Sequence, residues 1–380
     1  SGKLIDDHNL VVLHHVILVA EHQVVCAQRQ NNVMLNLQIL SVREILNLEE
    51  LLYFLDTISG ITGLKLTYPQ LALPIGLSFY TFKNLSYILD IYMGKTEPCK
   101  GFFPYAVYST MFPHMTAGPI VRYTDISESI SRRSINTTRL GAGAELFIKG
   151  LSKKVLLADN LSALYTTLQA SGTTSFVGTW LAIGAYTLEL YFDFSGYSDM
   201  AIGLGKMFGF EFQENFNYPY TAGSVQEFWH RWHISLSSWF RDYVYIPLGG
   251  NRKGAACTYR NLLIVFFLTG MWHGAGIAFI LWGLYHGLFL ILERVWLGKK
   301  LEKLPGIVGW GYTVTAVFFG WILFRAENIS LFFTYVRNMF VAHGGTILLS
   351  AYLDSKMIFL IVMGVLFAGV LQKIYEKVRV

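Results

Sequence analysis

Charged side chains are scarce in this sequence, and that scarcity excludes an ordinary soluble protein. Only 14% of the 380 residues are charged, whereas 53% are hydrophobic and 16% are aromatic. Soluble domains carry about 25% charged residues. Apolar runs recur along the whole chain, and no polar stretch is long enough to form a soluble domain of its own. The composition therefore predicts one polytopic membrane domain.

Cysteine is also rare, and the three that occur, Cys26, Cys99 and Cys257, have neither metal-ligand nor redox spacing. Their odd number implies no disulfide framework, so we interpret them as packing residues. The sequence contains no P-loop, no serine-hydrolase elbow and no dinucleotide-binding fingerprint. The internal self-similarity expected of many transporters is missing too. These absences argue against nucleotide chemistry, a serine nucleophile and an inverted-repeat transporter.

Positive charge is confined to short clusters between the apolar spans, where it produces a formal net charge of +5. Such clusters are typical of loops that face anionic lipid on the cytoplasmic side, and not of a nucleic-acid-binding surface. The expected partner is a lipid bilayer, and no nucleic acid is expected. The clusters are Arg132 with Arg133, residues 149–154, Arg252 with Lys253, residues 299–303 and residues 373–379.

The longest uncharged run extends from Asn261 to Leu292 and contains the string TGMWHGAG. As one helix it would be about 48 Å long, whereas the bilayer core is roughly 30 Å thick. The run must therefore break, and the glycines at 270, 274 and 276 are the natural place. Irregular backbone at membrane depth is tolerated only where protein buries it or where it lines a wet cavity. We predict that His273 lies at this break and faces a pocket.

A histidine in an apolar, water-restricted pocket stays neutral, and a neutral imidazole can accept a proton. His273 is therefore suited to act as general base for a hydroxyl that attacks a reactive ester. The chemistry that the residues suggest is acyl transfer.

A metal site would need three or four converging ligands. His230 and His233 supply two at most, and no third ligand stands at a useful spacing. His273 and His286 are thirteen residues apart, which is about 20 Å along a helix. We therefore predict no metal site, and we assign His286 a structural role because of this separation.

The apolar spans predict an all-α, polytopic integral membrane protein with roughly nine to eleven transmembrane, re-entrant and interfacial helices. We divide the chain into N-terminal helices of uncertain register in residues 1–70, a core in residues 71–328 and C-terminal membrane helices in residues 329–380. Within the core, prolines and a glycine at positions 113, 118 and 119 predict a broken or re-entrant helix over Phe102–Tyr123. His114 in that segment either lines the same cavity as His273 or forms a hydrogen bond that holds the break, and we favour the second.

Several charged residues interrupt apolar spans. Lys83 either marks a cavity or extends to the membrane surface. Asp193 and Asp199 lie six residues apart, about 120° apart around a helix. They could serve acid–base catalysis, but neighbouring serine and tyrosine hydroxyls favour a structural role in pinning the helix. Arg325 beside Glu327 is most simply an interfacial charge pair.

A further helix is predicted to begin after Ser224, because Glu227 three residues on completes a capping-box pattern. We expect this helix to continue through Trp239. His230 and His233 would then share one face, with His230 exposed and His233 buried.

Six strings of the sequence together resemble the membrane-bound O-acyltransferase (MBOAT) superfamily, most closely its bacterial alginate O-acetyltransferase membrane-subunit branch. They are FPHMTAGPIVRY, YFDFSGYSDMAIGLG, ENFNYPY, EFWHRWHISLSSWFRDYVYIPLGGNR, GMWHGA and GWILFRAEN, and the likeness extends from about Leu71 to about Asn328. By resemblance, His273 of the W-H-G motif is the catalytic histidine. His233 is its partner near the acyl-transfer tunnel. The residues expected along that tunnel are Trp272, Trp229, Trp232, Ser235, Arg241, Asp242, Asn251 and His114.

The resemblance implies a ring of membrane helices around a thin centre, with a funnel that admits the acyl donor from the cytoplasm and the acceptor from outside. It implies transfer of an acetyl group from acetyl-CoA, with no bound cofactor, to an extracytoplasmic acetyltransferase or polysaccharide acceptor. The implied location is the bacterial cytoplasmic (inner) membrane. Two alternatives are D-alanyl transfer towards teichoic acid from a carrier protein and transport without covalent chemistry.

Overall fold

The computed structural model describes residues 76–170, 175–274, 276–326, 328–341 and 352–379. These ranges are helical apart from loops and one isolated β-bridge, which confirms the predicted all-α class. The chain divides into two compact units, of which the first includes the residues up to Thr116 and Arg122–Ser131, and the second Ala117–Val121 and the chain from Arg132 onward. The helices predicted in residues 1–70 lie outside the described residues, and the divisions proposed after residues 70 and 328 stay predictions.

The first unit contains helices α1 (Leu77–Tyr92), α2 (Phe102–Thr110) and α3 (Tyr123–Ser131), with a 3-10 turn at Phe112–His114. The break predicted within Phe102–Tyr123 is therefore confirmed. Pro113 lies in the short turn because its backbone nitrogen carries no hydrogen and so cannot donate the hydrogen bond that a continuing helix needs.

Lys83 is fully buried in this first unit. Its Nζ donates to the Ser109 carbonyl at 3.1 Å and lies 5.5 Å from the centre of the Tyr108 ring. The alternative in which Lys83 extends to the membrane surface is therefore wrong. A backbone carbonyl and an aromatic face replace water around the ammonium group.

The second unit begins with an irregular segment and is otherwise built from helices joined by short connections. Its helices are α4 (Thr137–Ser152), α5 (Asp159–Ala170), α6 (Phe176–Met207), α7 (Val225–Arg231), α8 (Ile234–Phe240), α9 (Ala255–His273), α10 (Ile277–Leu292), α11 (Gly298–Leu301), α12 (Gly306–Arg325), α13 (Ile329–Phe340), α14 (Ser355–Val365) and α15 (Leu371–Arg379). π-helical turns occur at Lys153–Ala158, Arg241–Tyr245, Glu293–Leu297 and Leu366–Val370.

Ion pairs join α6 to the π-helical turn after α4. Lys153 Nζ lies 2.6 Å from Asp199 Oδ2, and Lys154 Nζ lies 2.5 Å from Asp193 Oδ1. Lys154 also lies 2.9 Å from Asp159. Asp193 and Asp199 thus pin α6 as predicted, but they do so through lysines of another helix and not through neighbouring hydroxyls.

Helices α9 and α10 form a tight antiparallel hairpin, because small residues let their backbones approach. A Cβ at Gly283 would overlap the Phe266 carbonyl, and one at Gly270 would overlap the Phe279 carbonyl. Glycine at these positions is therefore required by helix packing, as is common between membrane helices. Gly270 lies inside α9 and does not break it.

Four helices within the described residues are long and apolar enough to cross a membrane. They are Ala255–His273, Ile277–Leu301, Gly306–Arg325 and Ser355–Tyr375. The protein is therefore a polytopic membrane protein, as predicted. The expected total of nine to eleven also counted interfacial helices and spans outside the described residues.

Candidate active site

His273 is the last residue of α9, at the break predicted from the length of the uncharged run. Gly274 follows with φ of 154°, and α10 begins at Ile277. A Cβ at Gly274 would lie 2.8 Å from the Phe279 ring. Both the backbone angle and the crowding require glycine here, so the chain can reverse directly after the histidine.

Aromatic rings surround the His273 imidazole on several sides. Its ring centre lies 5.0 Å from both Trp282 and Phe324, which meet it edge-on at 88° and 83°, and 4.5 Å from Trp272. The side chain is nevertheless only half-buried. Apolar rings therefore surround an imidazole that keeps an exposed part, through which a reacting group can reach it.

His233 lies between α7 and α8 and has left-handed backbone angles, φ 44° and ψ 55°. The single helix predicted from Ser224 through Trp239 is therefore wrong, since it ends at Arg231 and restarts at Ile234. The predicted cap at its start is confirmed, because Ser224 Oγ accepts from Glu227 N at 3.0 Å.

An upstream strand-like segment causes the break at His233. Asn217 N donates to the Arg231 carbonyl at 2.9 Å, and Ile234 N donates to the Asn215 carbonyl at 3.0 Å. These partners replace helical ones, so α7 cannot continue into α8. As a result His230 and His233 do not share a helix face; His230 is exposed and His233 is buried, as expected.

The Asn215 amide fixes the His233 ring. Asn215 Nδ2 donates to the Gly118 carbonyl at 3.3 Å, and a carbonyl can only accept, so the amide orientation is set. Asn215 Oδ1 then faces His233 Nδ1 at 3.1 Å and must accept from it. The same oxygen accepts from Ser235 Oγ at 2.8 Å.

The consequence is a defined tautomer. His233 carries its hydrogen on Nδ1, which leaves a lone pair on Nε2. That Nε2 is buried and has no hydrogen-bond partner among the described residues. A buried acceptor without a partner is costly, and this nitrogen can accept a hydrogen bond from a hydroxyl group that reaches it.

Trp272 connects the two histidines. Its ring centre lies 4.5 Å from that of His273 and 6.1 Å from that of His233. Phe194 meets the His233 ring edge-on at 4.7 Å. Two imidazoles thus contact one indole at a tilt of 58° each, in an apolar setting.

A cavity of about 430 Å³ lies between α7, α8, α9 and the C-terminal end of α10, and neither His233 nor His273 lines it. Trp229 and Thr269 lie on its wall, and Thr269 is one helical turn before His273. Arg241 lines the cavity too, held by bonds of 2.7 and 3.1 Å to Asp242. These hydrogen bonds raise the pKa of the Arg241 guanidinium above its ordinary value.

The comparison with known families identifies an enzyme family over the region that contains both histidines. Residues 99–337 match the model of the MBOAT, membrane-bound O-acyltransferase, family. The chain belongs to the MBOAT family. The predicted superfamily is therefore confirmed.

Three MBOAT relatives indicate the range of chemistry. A probable alginate O-acetylase of Pseudomonas fluorescens is 45% identical over 271 residues, 71% of this chain and 54% of that protein. A peptidoglycan O-acetyltransferase of Helicobacter pylori is 35% identical over 306 residues, 72% and 58% of the two chains. A teichoic acid D-alanyltransferase of Bacillus subtilis is 27% identical over 272 residues, 67% and 69%. The chain spans about half the length of the alginate-type relatives that it matches.

The structure brings most of the predicted MBOAT site residues into one region. Trp232 contacts Trp321 at a tilt of 48°, and Trp321 stacks on Trp282 beside His273. Ser235 belongs to the Asn215 network. Asn251 is exposed in the turn before α9, and His114 lies in the first unit, so their assignment to the tunnel stays a prediction.

His286 is closer to the centre than the sequence indicated. The estimate of 20 Å assumed one continuous helix, but the chain reverses after His273. His286 and His273 consequently both contact Trp282, at 5.2 and 5.0 Å. His286 is fully buried, and its Nε2 would lie 2.6 Å from a Cβ at Gly320, so it packs directly against α12.

Sequence reasoning missed Asn215, Trp282 and Phe324. Asn215 lies in the ENFNYPY string, yet nothing local assigns the side chain a partner eighteen residues away. Trp282 and Phe324 read as ordinary apolar residues of membrane helices.

The expected pairing of Arg325 with Glu327 involves a residue outside the described ranges, and the Arg325 guanidinium lies 5.3 Å from the centre of the Tyr165 ring.

Proposed function

We propose that this chain is a membrane-embedded O-acyltransferase that passes an acetyl group from a cytoplasmic donor towards an extracytoplasmic polysaccharide of the alginate type. The observation that carries the proposal is the pair of imidazoles at Trp272, one half-buried at a helix break and one with a bare, buried Nε2. Higher identity to the O-acetylases than to the D-alanyltransferase supports acetyl as the group transferred.

In the proposed reaction a hydroxyl of the acceptor attacks the carbonyl carbon of an acetyl thioester, with acetyl-CoA as the expected donor. His273 accepts the hydroxyl proton as the new ester bond forms. The carbon–sulfur bond breaks, and the departing thiolate receives the proton from His273. His233 Nε2 offers a second acceptor for a hydroxyl or a shared proton near the same indole. General base catalysis of this kind contributes typically 10²–10⁴-fold.

The charges around the hairpin support delivery of the donor from the cytoplasm. Arg252 and Lys253 precede α9, and Lys299, Lys300 and Lys303 lie between α10 and α12. Because α9 and α10 are antiparallel, these cations all lie at the same end of the hairpin. Cytoplasmic loops carry an excess of such residues. In a bacterial inner membrane the opposite end would then face the acceptor, either the polysaccharide or an extracytoplasmic acetyltransferase.

A decisive experiment replaces His273 by Ala in the purified protein and follows transfer from labelled acetyl-CoA. We expect the rate to fall about 10²–10⁴-fold, while the elution volume and melting temperature stay near those of the wild type. Phe267→Ala is the matched control, since Phe267 is an exposed residue of the same helix. Wild-type transfer by His273→Ala would contradict the proposal.

The two alternatives give different results in the same assay. Loss of the acyl group from a D-alanyl carrier protein, but not from acetyl-CoA, would favour D-alanyl transfer. Release of neither acyl group, together with movement of a solute across vesicles, would favour transport without covalent chemistry.

A further inference from the structure

The Glu293 carboxylate is buried directly after α10 and has no part in the proposed reaction. Glu293 is the first residue of the π-helical turn Glu293–Leu297, and only 6% of it is exposed. Its Oε1 accepts from Val225 N at 2.6 Å, and its Oε2 accepts from Gln226 N at 2.9 Å. A carboxylate that leaves water is costly to bury unless hydrogen bonds compensate for the loss. The two backbone amides therefore hold this side chain in place.

Helix α7 depends on the same carboxylate at its N-terminus. The first amides of a helix lack partners within the helix. Glu293 accepts from the first two amides of α7, and Ser224 Oγ accepts from the third, Glu227 N, at 3.0 Å. Negative charge at a helix N-terminus is also favoured by the helix dipole. Because α7 has only seven residues, it is too short to be stable by itself, and tertiary contacts decide where it lies.

The hairpin of α9 and α10 carries His273, and Glu293 is continuous with it. Helix α10 begins at Ile277, four residues after His273, and ends at Leu292, directly before Glu293. Close glycine contacts pack α9 against α10. Glu293 therefore belongs to the same pair of packed helices as His273.

Helix α7, in contrast, leads to His233. It ends at Arg231, and His233 follows two residues later at the break before α8. A shift of α7 relative to the hairpin would consequently move the His233 imidazole relative to that of His273.

Two kinds of contact hold α7 against the hairpin. Rings pack, as Trp229 does on Trp282 with centres 5.7 Å apart, and such apolar contacts are not directional. Within the described residues, the only hydrogen bonds that join α7 to the hairpin and its following turn are the two at Glu293. Hydrogen bonds weaken steeply when their angle is lost. The carboxylate is therefore the contact that fixes the position of α7.

We propose that Glu293 is a positioning residue for acyl transfer, whose carboxylate fixes α7 on the α9–α10 hairpin and thereby sets the separation between the His233 and His273 imidazoles. The inference rests on the proposed acyltransferase function and adds a residue that acts through α7, without contact to a substrate. A misplacement of about 1 Å caused far from the chemistry can cost about 10²-fold in rate.

The test is a double-mutant cycle of Glu293→Gln and His233→Asn, with initial rates measured at saturating acetyl-CoA on purified protein in nanodiscs. In Glu293→Gln an amide nitrogen replaces one oxygen and cannot accept from a backbone N–H. We expect kcat to fall about tenfold or more. In the His233→Asn background the same substitution should change the residual rate less than about twofold, because residues that act as a unit are not additive.

Equal fold losses in the two backgrounds would overturn the proposal. That result is the one expected if Glu293 only keeps the protein folded, because a smaller folded fraction lowers both rates by the same factor.

Glu227→Gln is the matched control, because it removes a second carboxylate of α7 whose partners belong to the same segment of chain. Glu227 Oε2 accepts from Gly223 N at 2.8 Å, and Oε1 accepts from Arg231 Nε at 2.9 Å. Its kcat should stay near the wild-type value, since α7 remains joined to the hairpin. A loss of kcat equal to that of Glu293→Gln would show that the hairpin contact has no special role, and would overturn the proposal.

Glu293→Asp covers the case in which Glu293→Gln is too unstable to assay. It keeps both acceptor oxygens on a side chain that is one methylene group shorter, so α7 is held but displaced. We expect a loss of kcat here too, again only where His233 is present. Asp354→Ala controls for stability, because it removes the cap of α14, in which Asp354 Oδ1 accepts from Met357 N at 2.7 Å. It should lower the melting temperature without lowering kcat.

The failure of this inference is distinguishable from that of the function on which it rests. Wild-type kcat in both Glu293 variants would overturn the positioning role and leave the acyltransferase function standing. Wild-type protein that releases no acetyl group from acetyl-CoA would overturn the function itself.

Discussion

At the scale of single residues, His233 combines an unusual backbone with an unusual side chain. A residue with a Cβ pays about 1–2 kcal/mol for left-handed angles, and here φ is 44°. Asparagine tolerates this region far better than most residues. The position therefore permits substitutions that separate the conformational role of residue 233 from the role of its imidazole.

We predict that His233→Asn keeps a melting temperature close to that of the wild type but loses most of its acyl transfer. His233→Ala should lose transfer to a similar degree and should also be less stable, since alanine carries the full left-handed strain. Thermal unfolding in detergent and initial transfer rates, measured on both variants, check this. Full transfer by His233→Asn would show that the imidazole serves only to fill space.

Asn215 acts on the reaction through His233 in our account, so it is a positioning residue. Asn215→Ala removes the acceptor for His233 Nδ1 and for Ser235 Oγ, and each buried group left unsatisfied costs about 1–3 kcal/mol. We expect kcat to fall at least tenfold at temperatures where the variant is still folded. Ser198→Ala is the control, because it removes a partner only from the Asn215 amide nitrogen. A variant that is destabilised without a loss of kcat would assign Asn215 a purely structural role.

At the scale of elements, the α9–α10 hairpin places His273, and its glycines are what permit the close approach. Gly283→Ala would push a methyl group into the Phe266 carbonyl, and overpacking of this kind typically costs about 1–3 kcal/mol. We predict a clearly lower melting temperature and a disturbed site. Gly311→Ala in α12 is the matched control, since no atom lies within 4 Å of the position its Cβ would take. Equal melting temperatures for the two variants would contradict the packing account.

The hairpin also shows what the sequence could predict. The length of the uncharged run exceeded the bilayer core, and glycines marked where it would break, so the position of His273 followed from local information. The break at His233 did not. It depends on Asn215 and Asn217, whose backbone groups lie 19 and 14 residues before the positions they bond and replace the helical partners of α7 and α8.

The same distinction holds for charges. A lone Lys83 in an apolar span was recognisable as unusual, but its acceptor, the Ser109 carbonyl, lies 26 residues away. Asp193 and Asp199 were recognisable as structural, whereas their lysine partners on another helix were not. Periodicity and composition predict helices and spans, because these depend on neighbours in sequence. Site geometry depends on tertiary contacts that no local pattern encodes.

At the scale of the whole molecule, the basic clusters predict the orientation in the membrane. We introduce Lys303→Cys and Ser355→Cys separately into a background in which Cys26, Cys99 and Cys257 are replaced by Ser. A membrane-impermeant maleimide added to right-side-out vesicles should label Ser355→Cys and not Lys303→Cys, and inverted vesicles should give the reverse. The opposite pattern would place the basic end of the hairpin outside and would remove the argument for a cytoplasmic donor.

The aromatic surroundings of His273 have an optical consequence. Of the nine tryptophans in the chain, Trp229, Trp232, Trp272, Trp282 and Trp321 form a connected set of rings that reaches the imidazole. Indole fluorescence depends on the polarity around the ring and on nearby quenching groups. More than half of the intrinsic emitters therefore belong to one network of rings that ends at His273, so a ligand that contacts this imidazole should change the emission of the unlabelled protein.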